Sequence, residues 1–257
     1  MSRLPLSVVY ITLNAERHLN RSLEKVKPIA AEIVMVDCGS IDQTLSIAKA
    51  HDVRVISHAW QGFSAQRQLA VDSARHDWIL VLDADEILTE SGVEAISKVL
   101  SFTSDVASYF LQRRSVFHDR QIYHGDWAHD RVLRLFDRRL GHYGNSLVHE
   151  AWHSSAPSDI LPDICLLHYS YANYAELLDK MRRYATLNAE QVLQKRQVPR
   201  AYMPMTHALW AFFRAYILRL GILDGVDGAA IAWTTALGAF MKYAIAREMQ
   251  LQDKENL

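Results

Sequence analysis

Short β-branched, apolar runs alternate with longer amphipathic stretches over the first hundred residues. LSVVYIT at 6–12, EIVMVDC at 32–38, VRVIS at 53–57 and DWILVLD at 77–83 are nearly continuous in apolar character. Such runs belong to strands covered on both faces, as in a parallel sheet, rather than to strands with one wet face. Segments of helical spacing lie between them at 15–27, 42–51 and 64–75, each starting near a residue able to cap a helix: Asn14, Asp42 and Ser64. Strand–helix–strand units of this length predict right-handed crossovers and an open α/β sheet. A fourth helix is expected at 90–100, followed by strands at 106–114 and 131–136. The stretch 114–153 is rich in His, Arg and Asp and is expected as loops and edge elements around a site.

The period changes to helical from about residue 172. Helices are expected at 174–196, 207–223 and 229–248, with the Asp/Gly-rich segment 224–228 as the turn between the last two. The organisation predicted is therefore an α/β domain at 1–170 and a helical extension at 171–257. At 257 residues the chain has room for one large domain plus such an extension.

Composition narrows the class. Half of the residues are hydrophobic and 22% are charged, which excludes a disordered chain. A net charge of −1 lacks the positive field of a nucleic-acid-binding protein. Cys38 and Cys165 are the only cysteines, too few for a disulfide framework or a cysteine zinc site, and they suit a reducing compartment. The N-terminal apolar stretch is too short for a signal peptide. No run of 18 uncharged apolar residues occurs, so a membrane-spanning helix is not expected.

The candidate chemistry collects at the predicted strand ends, where open parallel sheets bind ligands. Asp37 closes the second strand, and Asp83 and Asp85 close the fourth. Neither GxGxxG nor GxxxxGK[ST] is present, which argues against a dinucleotide fold and a P-loop. Two carboxylates in an Asp-x-Asp turn suit a hard divalent cation bridging diphosphate oxygens. Alone, such a pair is more often a solvated acidic turn. Its place behind an apolar strand, together with VDCGSIDQT at 36–44, favours the metal–diphosphate reading.

The runs SVVYITLNAERHL, EIVMVDCGSIDQTLSIAK and GFSAQRQLAVDSARHDWILVLDADE resemble the nucleotide-binding half of family 2 inverting glycosyltransferases of the GT-A fold. RVLRLFDRR with the later VHE, LHYSYANYAELLDKMRRYA and FFRAYILRLGILDGVDG are similar to lipopolysaccharide-core glucosyltransferases of Gram-negative bacteria, which act on an inner-core heptose. Cys38 and Ile41 depart from the family's usual residues. The resemblance implies a GT-A type, mostly parallel nucleotide-binding sheet flanked by helices. It also implies a UDP-sugar donor, a divalent cation (Mg²⁺ or Mn²⁺), a lipid-linked oligosaccharide acceptor, and a peripheral position on the cytoplasmic face of the inner membrane.

Carried over by position, Thr12, Asn14 and Asp37 would contact the nucleoside, with Asp37 accepting from a uracil N–H. Gln66 and Arg67 would lie near the donor, Arg67 beside a phosphate; an ordinary helix face is the plain alternative. Asp83 would sit near ribose and metal. Asp85 would be the direct metal ligand, with His168 completing the shell or serving as a hydrogen-bonded structural residue. Glu86 belongs to the turn or the next helix. Glu150 matches the position of the base that takes the acceptor hydroxyl's proton, against a structural ion pair, with Asp126 and Asp130 in reserve and His149 able to orient it. The remaining histidines, His118, His124, His129, His142 and His153, have no defensible zinc spacing.

Residues 112–139 hold seven arginines, no lysine and no glutamate. They read as a solvated face in which Arg113, Arg114, Arg131 and Arg134 can also fork onto acceptor phosphates or carboxylates. Trp210, Phe212, Phe213, Tyr216, Ile217 and Leu218 fit packing on the domain, an oligomer contact, or, with Arg214 and Arg219, an in-plane membrane helix. A different sugar or a polyprenyl-phosphate acceptor, an idle carbohydrate-binding scaffold, and a nucleotidyltransferase are the rival functions. The last would ordinarily carry a Gly-rich, basic first loop, which ITLNAERHL is not.

Overall fold

The computed structural model describes residues 3–102, 105–128, 130–144, 152–194 and 199–255. In chain order, β1 is Leu4–Thr12, α1 Glu16–Val26, β2 Ala30–Asp37, α2 Thr44–Ala50, β3 Arg54–Ser57 and α3 Phe63–Ser73. β4 (Trp78–Leu82), β5 (Glu86–Leu88), α4 (Glu90–Leu100), β6 (Ser108–Phe117) and β7 (Arg120–Gln121) follow. Then come β8 (Asp130–Asp137), β9 (Gly141–Tyr143), β10 (Trp152–Ser154) and β11 (Ser158–His168), and last α5 (Tyr174–Gln194), α6 (Met203–Phe212) and α7 (Gly225–Glu255).

The continuous apolar runs have a plain cause: both faces of the central strands are covered. Leu6, Val8 and Tyr10 of β1, Met35 of β2 and Leu80 and Leu82 of β4 enter one core. Val9, Val34, Val36, Ile79 and Val81 alternate into the other. The main sheet runs β3-β2-β1-β4-β8-β6-β11-β5. Its first four strands are parallel, and β8 begins an antiparallel half by pairing Trp78 with Asp137. β5 pairs antiparallel with β11, which sets His168 opposite Glu86. This is the α/β architecture with a helical extension that the sequence predicts. The strands 158–168 and 86–88 are additions: the sequence pattern assigns no element to the first and places Glu86 in the turn or the next helix.

Two compact units make up the chain: residues 1–114 with 130–169, and residues 115–129 with 170–257. In the second, α7 packs against α5 and α6. The helix expected at 207–223 is broken into α6, a π-helical turn at Phe213–Leu218 and a 3₁₀ turn at Gly221–Asp224. The reversal sits between Leu220 (φ 57°) and Gly225 (φ 65°), so α7 starts inside the segment expected as a turn. Gly228 is required by proximity, since a Cβ there would meet the Gly221 carbonyl oxygen at 1.9 Å. Asp224 and Asp227 are buried and bind the 118–124 segment. Asp224 accepts from the His124 backbone N–H (2.8 Å), and Asp227 accepts from the Tyr174 hydroxyl (2.7 Å) and lies 2.9 Å from His118 Nδ1. Gly221–Gln252 is long and apolar enough to cross a membrane by length and composition, with 33% of an apolar 18-residue stretch within it buried. The sequence shows no such uninterrupted run because Thr234, Thr235 and Lys242 divide it; the helix is nonetheless apolar on average.

Candidate active site

The carboxyl ends of β1 and β2 are joined by a hydrogen-bonded loop centred on Asp37. Its side chain is buried, and its Oδ1 accepts from the Thr12 hydroxyl at 2.9 Å and the Ser40 hydroxyl at 2.6 Å. Oδ2 accepts from the backbone N–H groups of Gly39 (2.9 Å) and Ser40 (2.8 Å). Four donors match the lone-pair capacity of one carboxylate. Burial alone would raise the Asp37 pKa, but these donors outweigh it and hold the group below the usual carboxylate range. Asp37 therefore folds the loop, and a nucleobase N–H would have to displace one of its donors. Asn14 is exposed with φ 51°, and its Oδ1 accepts from the Ile41 N–H at 2.9 Å. It fastens this loop rather than capping α1, whose first N–H is met by Asp42 Oδ2 at 3.1 Å.

Gln66 and Arg67 both turn inward from α3 and are buried. Gln66 donates to Cys38 Sγ (3.1 Å) and the Ala59 carbonyl (3.1 Å) and lies 2.9 Å from His58 Nδ1. It locks the β2 and β3 ends together. Arg67 donates to Asp83 Oδ1 at 2.6 Å, and Arg134 Nη2 to Asp83 Oδ2 at 2.5 Å. Below them Glu86 is fully buried, accepting from Arg113 at 2.6 Å and Arg134 at 2.7 Å. Asp130 closes the network onto Arg113. Three carboxylates thus face three guanidinium groups. Burial opposes ionisation of Asp83, yet the Arg134 and Arg67 charges prevail and hold its carboxyl well below the ordinary range. Its side chain is still 30% exposed, so a bound ligand can reach it.

This network revises the reading of the arginine-rich stretch. Arg113 and Arg134 are partners of internal carboxylates, not a solvated face waiting for acceptor groups. Glu86 is the buried hub of the cluster, not a turn residue. Arg131 alone of the four arginines is exposed. The reserves for the base are committed: Asp130 to Arg113, and Asp126 to Arg214 (2.8 Å) and Arg219 (2.6 Å). Arg214 and Arg219 keep 39% and 50% of their side chains exposed in this pairing.

Asp85 follows in the turn between β4 and β5. Its Oδ2 lies 3.4 Å from His168 Nε2, and its carbonyl accepts from the Tyr169 N–H at 2.9 Å. The β5–β11 pairing brings His168 to this end of the sheet from 83 positions away in the sequence (168 − 85). Among the described residues no group of three His, Cys, Asp or Glu side chains converges as a metal cage. One carboxylate and one imidazole 3.4 Å apart fit a divalent cation whose other ligands would be diphosphate oxygens and water. Glu150 and His149, and likewise His129, lie outside the described residues. His118 and His124 pair with Asp227 and Asp224 in the second unit. A cavity of about 480 Å³ opens along α3, lined by His58, Gly62, Ser64, Gln68, Asp72 and Tyr143.

Sequence reasoning missed Ser40 as the partner of Asp37 and Glu86 as the hub. The first was signalled by the Gly-Ser following the strand-terminal Asp. The second had a signal only in the third acid of Asp83-Ala84-Asp85-Glu86.

The family model described as glycosyl transferase family 2 matches residues 7–157. A lipopolysaccharide core biosynthesis glycosyltransferase, LpsC, of Rhizobium meliloti is 28% identical over 98% of this chain and 97% of its own length. An uncharacterized glycosyltransferase of Rickettsia bellii is 26% identical over 96% of this chain and 87% of its own. Among solved structures, glucosyl-3-phosphoglycerate synthase from Mycobacterium tuberculosis aligns with a TM-score of 0.36 at 20% identity, covering 45% of this chain and 44% of that one.

Proposed function

Because the chain belongs to glycosyl transferase family 2, we propose that it is an inverting, metal-dependent transferase moving glucose from UDP-glucose onto a heptose of the lipopolysaccharide inner core. Sugar transfer from a nucleotide-sugar donor comes with the family. The choice of acceptor is supported by the end-to-end likeness to LpsC. One observation carries the mechanism: at the end of β4 one carboxylate is neutralised by arginines while the next faces a histidine.

In this reading residues 1–170 do the chemistry and 171–257 address the acceptor. Thr12, Asn14 and the Asp37 loop receive the nucleoside, and Asp83, oriented by Arg67 and Arg134, meets the ribose. Asp85 and His168 hold the divalent cation, Mg²⁺ or Mn²⁺. When bound, that cation supplies Lewis acidity to the diphosphate leaving group. Glu150 takes the proton of the heptose hydroxyl as its oxygen bonds to the anomeric carbon, opposite the breaking bond to diphosphate. In-line attack inverts the configuration and needs no enzyme nucleophile.

The test is purified protein with a panel of UDP-sugars and truncated core acceptors, with and without EDTA. Acceptor-dependent UDP release is expected with UDP-glucose. EDTA should lower it by about 10²-fold or more, reversibly with Mn²⁺ or Mg²⁺. Absence of acceptor-dependent release from every UDP-sugar overturns the function; EDTA-insensitive turnover overturns the metal.

The acceptor is lipid-linked in this reading, and the second unit has a surface suited to a membrane. Phe212 packs on Trp233, with ring centroids 4.4 Å apart, and on Tyr216 at 5.2 Å. Trp210, Phe213, Ile217 and Leu218 are exposed, as are Leu223, Val226 (76%) and the outer part of Trp233 (64%). So much exposed aromatic and aliphatic surface marks an interaction face, and we place it on the cytoplasmic leaflet as an in-plane contact. Flotation with anionic vesicles should retain the wild type and weaken roughly tenfold for a Trp210→Ser/Phe213→Ser variant. Equal flotation of the two would count against membrane contact there.

A further inference from the structure

We infer that the cavity beside α3 in the first unit is a subsite for an uncharged sugar residue of the acceptor glycan. It measures about 480 Å³, within the range of small-ligand sites, and its described lining lies wholly in that unit. Ser64, Gln68 and Asp72 recur at intervals of four along α3, so one face of the helix presents a hydroxyl, an amide and a carboxylate in line. Ala65 and Leu69 add apolar wall beside them.

The polar wall is fastened in place. Gln68 Oε1 accepts from the Tyr143 backbone N–H at 2.9 Å, and Gln68 Nε2 donates to Asp72 Oδ1 at 2.7 Å. One amide thereby ties α3 to β9 and orients a carboxylate at the cavity wall. A carboxylate has about four lone-pair sites, so Asp72 can accept from ligand hydroxyls while it keeps the Gln68 bond.

An aromatic edge completes the cavity. Phe63 lines it, and Trp60 packs on Phe63 edge to face, with ring centroids 4.7 Å apart and planes at 87°. Both rings are about half exposed, at 49% for Trp60 and 47% for Phe63. Gly62, between them, has φ 99° and ψ 157°, a conformation nearly confined to glycine, and its turn brings Trp60 back onto the first residue of α3. A single exposed ring is ordinary on a protein surface. Two rings fixed on one another at the rim of a cavity with hydrogen-bonding walls make a preorganised platform.

These groups select a ligand. A sugar ring has an apolar face of C–H bonds, which packs on an aromatic ring, and a rim of hydroxyls, which the amide and carboxylate can bind. The Asp72 charge repels an anion, which points to a sugar residue without phosphate. An acyl chain would set the same carboxylate against hydrocarbon. Identifying the sugar as part of the acceptor rests on the proposed function; the saccharide site itself does not.

The test is calorimetric titration of the full chain with a heptose disaccharide and with its phosphorylated form, each in the presence and absence of saturating UDP. The unphosphorylated sugar is expected to bind saturably, with or without UDP, and at least about fivefold more tightly than the phosphorylated one. Trp60→Ala/Phe63→Ala should weaken it about tenfold while UDP affinity stays within about twofold. Asp72→Asn, which keeps the side-chain shape, should bring the two sugars to within about twofold of one another. No saturable binding, equal binding by the aromatic double variant, or a preference for the phosphorylated sugar overturns the inference. Sugar binding abolished by UDP overturns it as well, because the cavity then belongs to the donor. In turnover the aromatic double variant should raise KM for a heptose-terminated acceptor about tenfold, with a smaller change in kcat. Weakened sugar binding with an unchanged KM would overturn the acceptor assignment. Binding of the disaccharide without turnover of any UDP-sugar would sink the proposed function and leave this site standing.

Discussion

Replacing Glu150 by glutamine is expected to lower kcat by about 10³-fold while leaving UDP affinity within about twofold. The substitution keeps the size and hydrogen-bonding shape of the side chain and removes its ability to take a proton. In an inverting displacement the acceptor hydroxyl must lose its proton as the new bond forms, and no enzyme nucleophile divides the step. A base is therefore the group whose loss is felt in turnover rather than donor binding. The two reserve carboxylates are already engaged. Asp130 receives two bonds from Arg113, and Asp126 is held between Arg214 and Arg219. Asp130→Asn should accordingly keep kcat within about tenfold of wild type. Retained turnover in Glu150→Gln, or its loss in Asp130→Asn alone, would move the base elsewhere. Initial rates with a heptose-terminated acceptor, paired with UDP titration, make the comparison.

Arg134→Met carries the largest expected effect on stability, about 3 kcal/mol at pH 7. Arg134 is buried and its Nη2 joins Asp83 to Glu86, the latter with no exposure at all. Methionine fills much of the volume but leaves a buried carboxylate to Arg113 alone, and breaking one partner of a buried ionic group costs more than the pair contributes. For a chain of this size the midpoint Tm should fall by roughly 6–12 °C. The pH dependence has a definite sign. The Asp83 carboxyl is held below its unfolded value, so its contribution is complete above the ordinary Asp pKa of about 4 and is lost as pH falls through the folded value. The gap between wild type and variant should thus be full at pH 7 and narrow below about pH 4. A gap under about 1 kcal/mol, or one that widens on acidification, would show that the network is not what holds this end of the sheet. Thermal melts across pH 3–8 decide it.

The parallel half of the fold is legible in the chain because each central strand is buried on both sides and so reads as a continuous apolar run. β1 to β4 overlap the runs at 6–12, 32–38, 53–57 and 77–83. The antiparallel half is harder to see. β11 is largely exposed over Ser158–Asp163 and contains Pro162, so its pattern is that of a loop until Ile164–His168, where it packs beside β5. The break after α6 was hidden for another reason. Residues 213–218 keep helical spacing, and it is the left-handed Leu220 and the close packing of Gly221 on Ala215 that end the helix. Asp/Gly-rich 224–228 reads as a turn, yet its two aspartates serve as buried anchors at the start of α7.

By itself the sequence determined the sheet's centre, the strand ends where chemistry collects, and the family, because those depend on local runs and on motifs within a few residues of one another. Only the tertiary structure decided which charge answers which. Arg134 reaches Asp83 across 51 positions, and His168 reaches Asp85 through a strand pairing that no local pattern announces. Arginines that look alike in sequence are therefore divided by the strand order: those on β6 and β8 that face inward neutralise Glu86 and Asp83, and β11 brings a histidine to Asp85. Burial makes that division. A guanidinium withdrawn from water must find a carboxylate, and the fold determines which carboxylate is within reach.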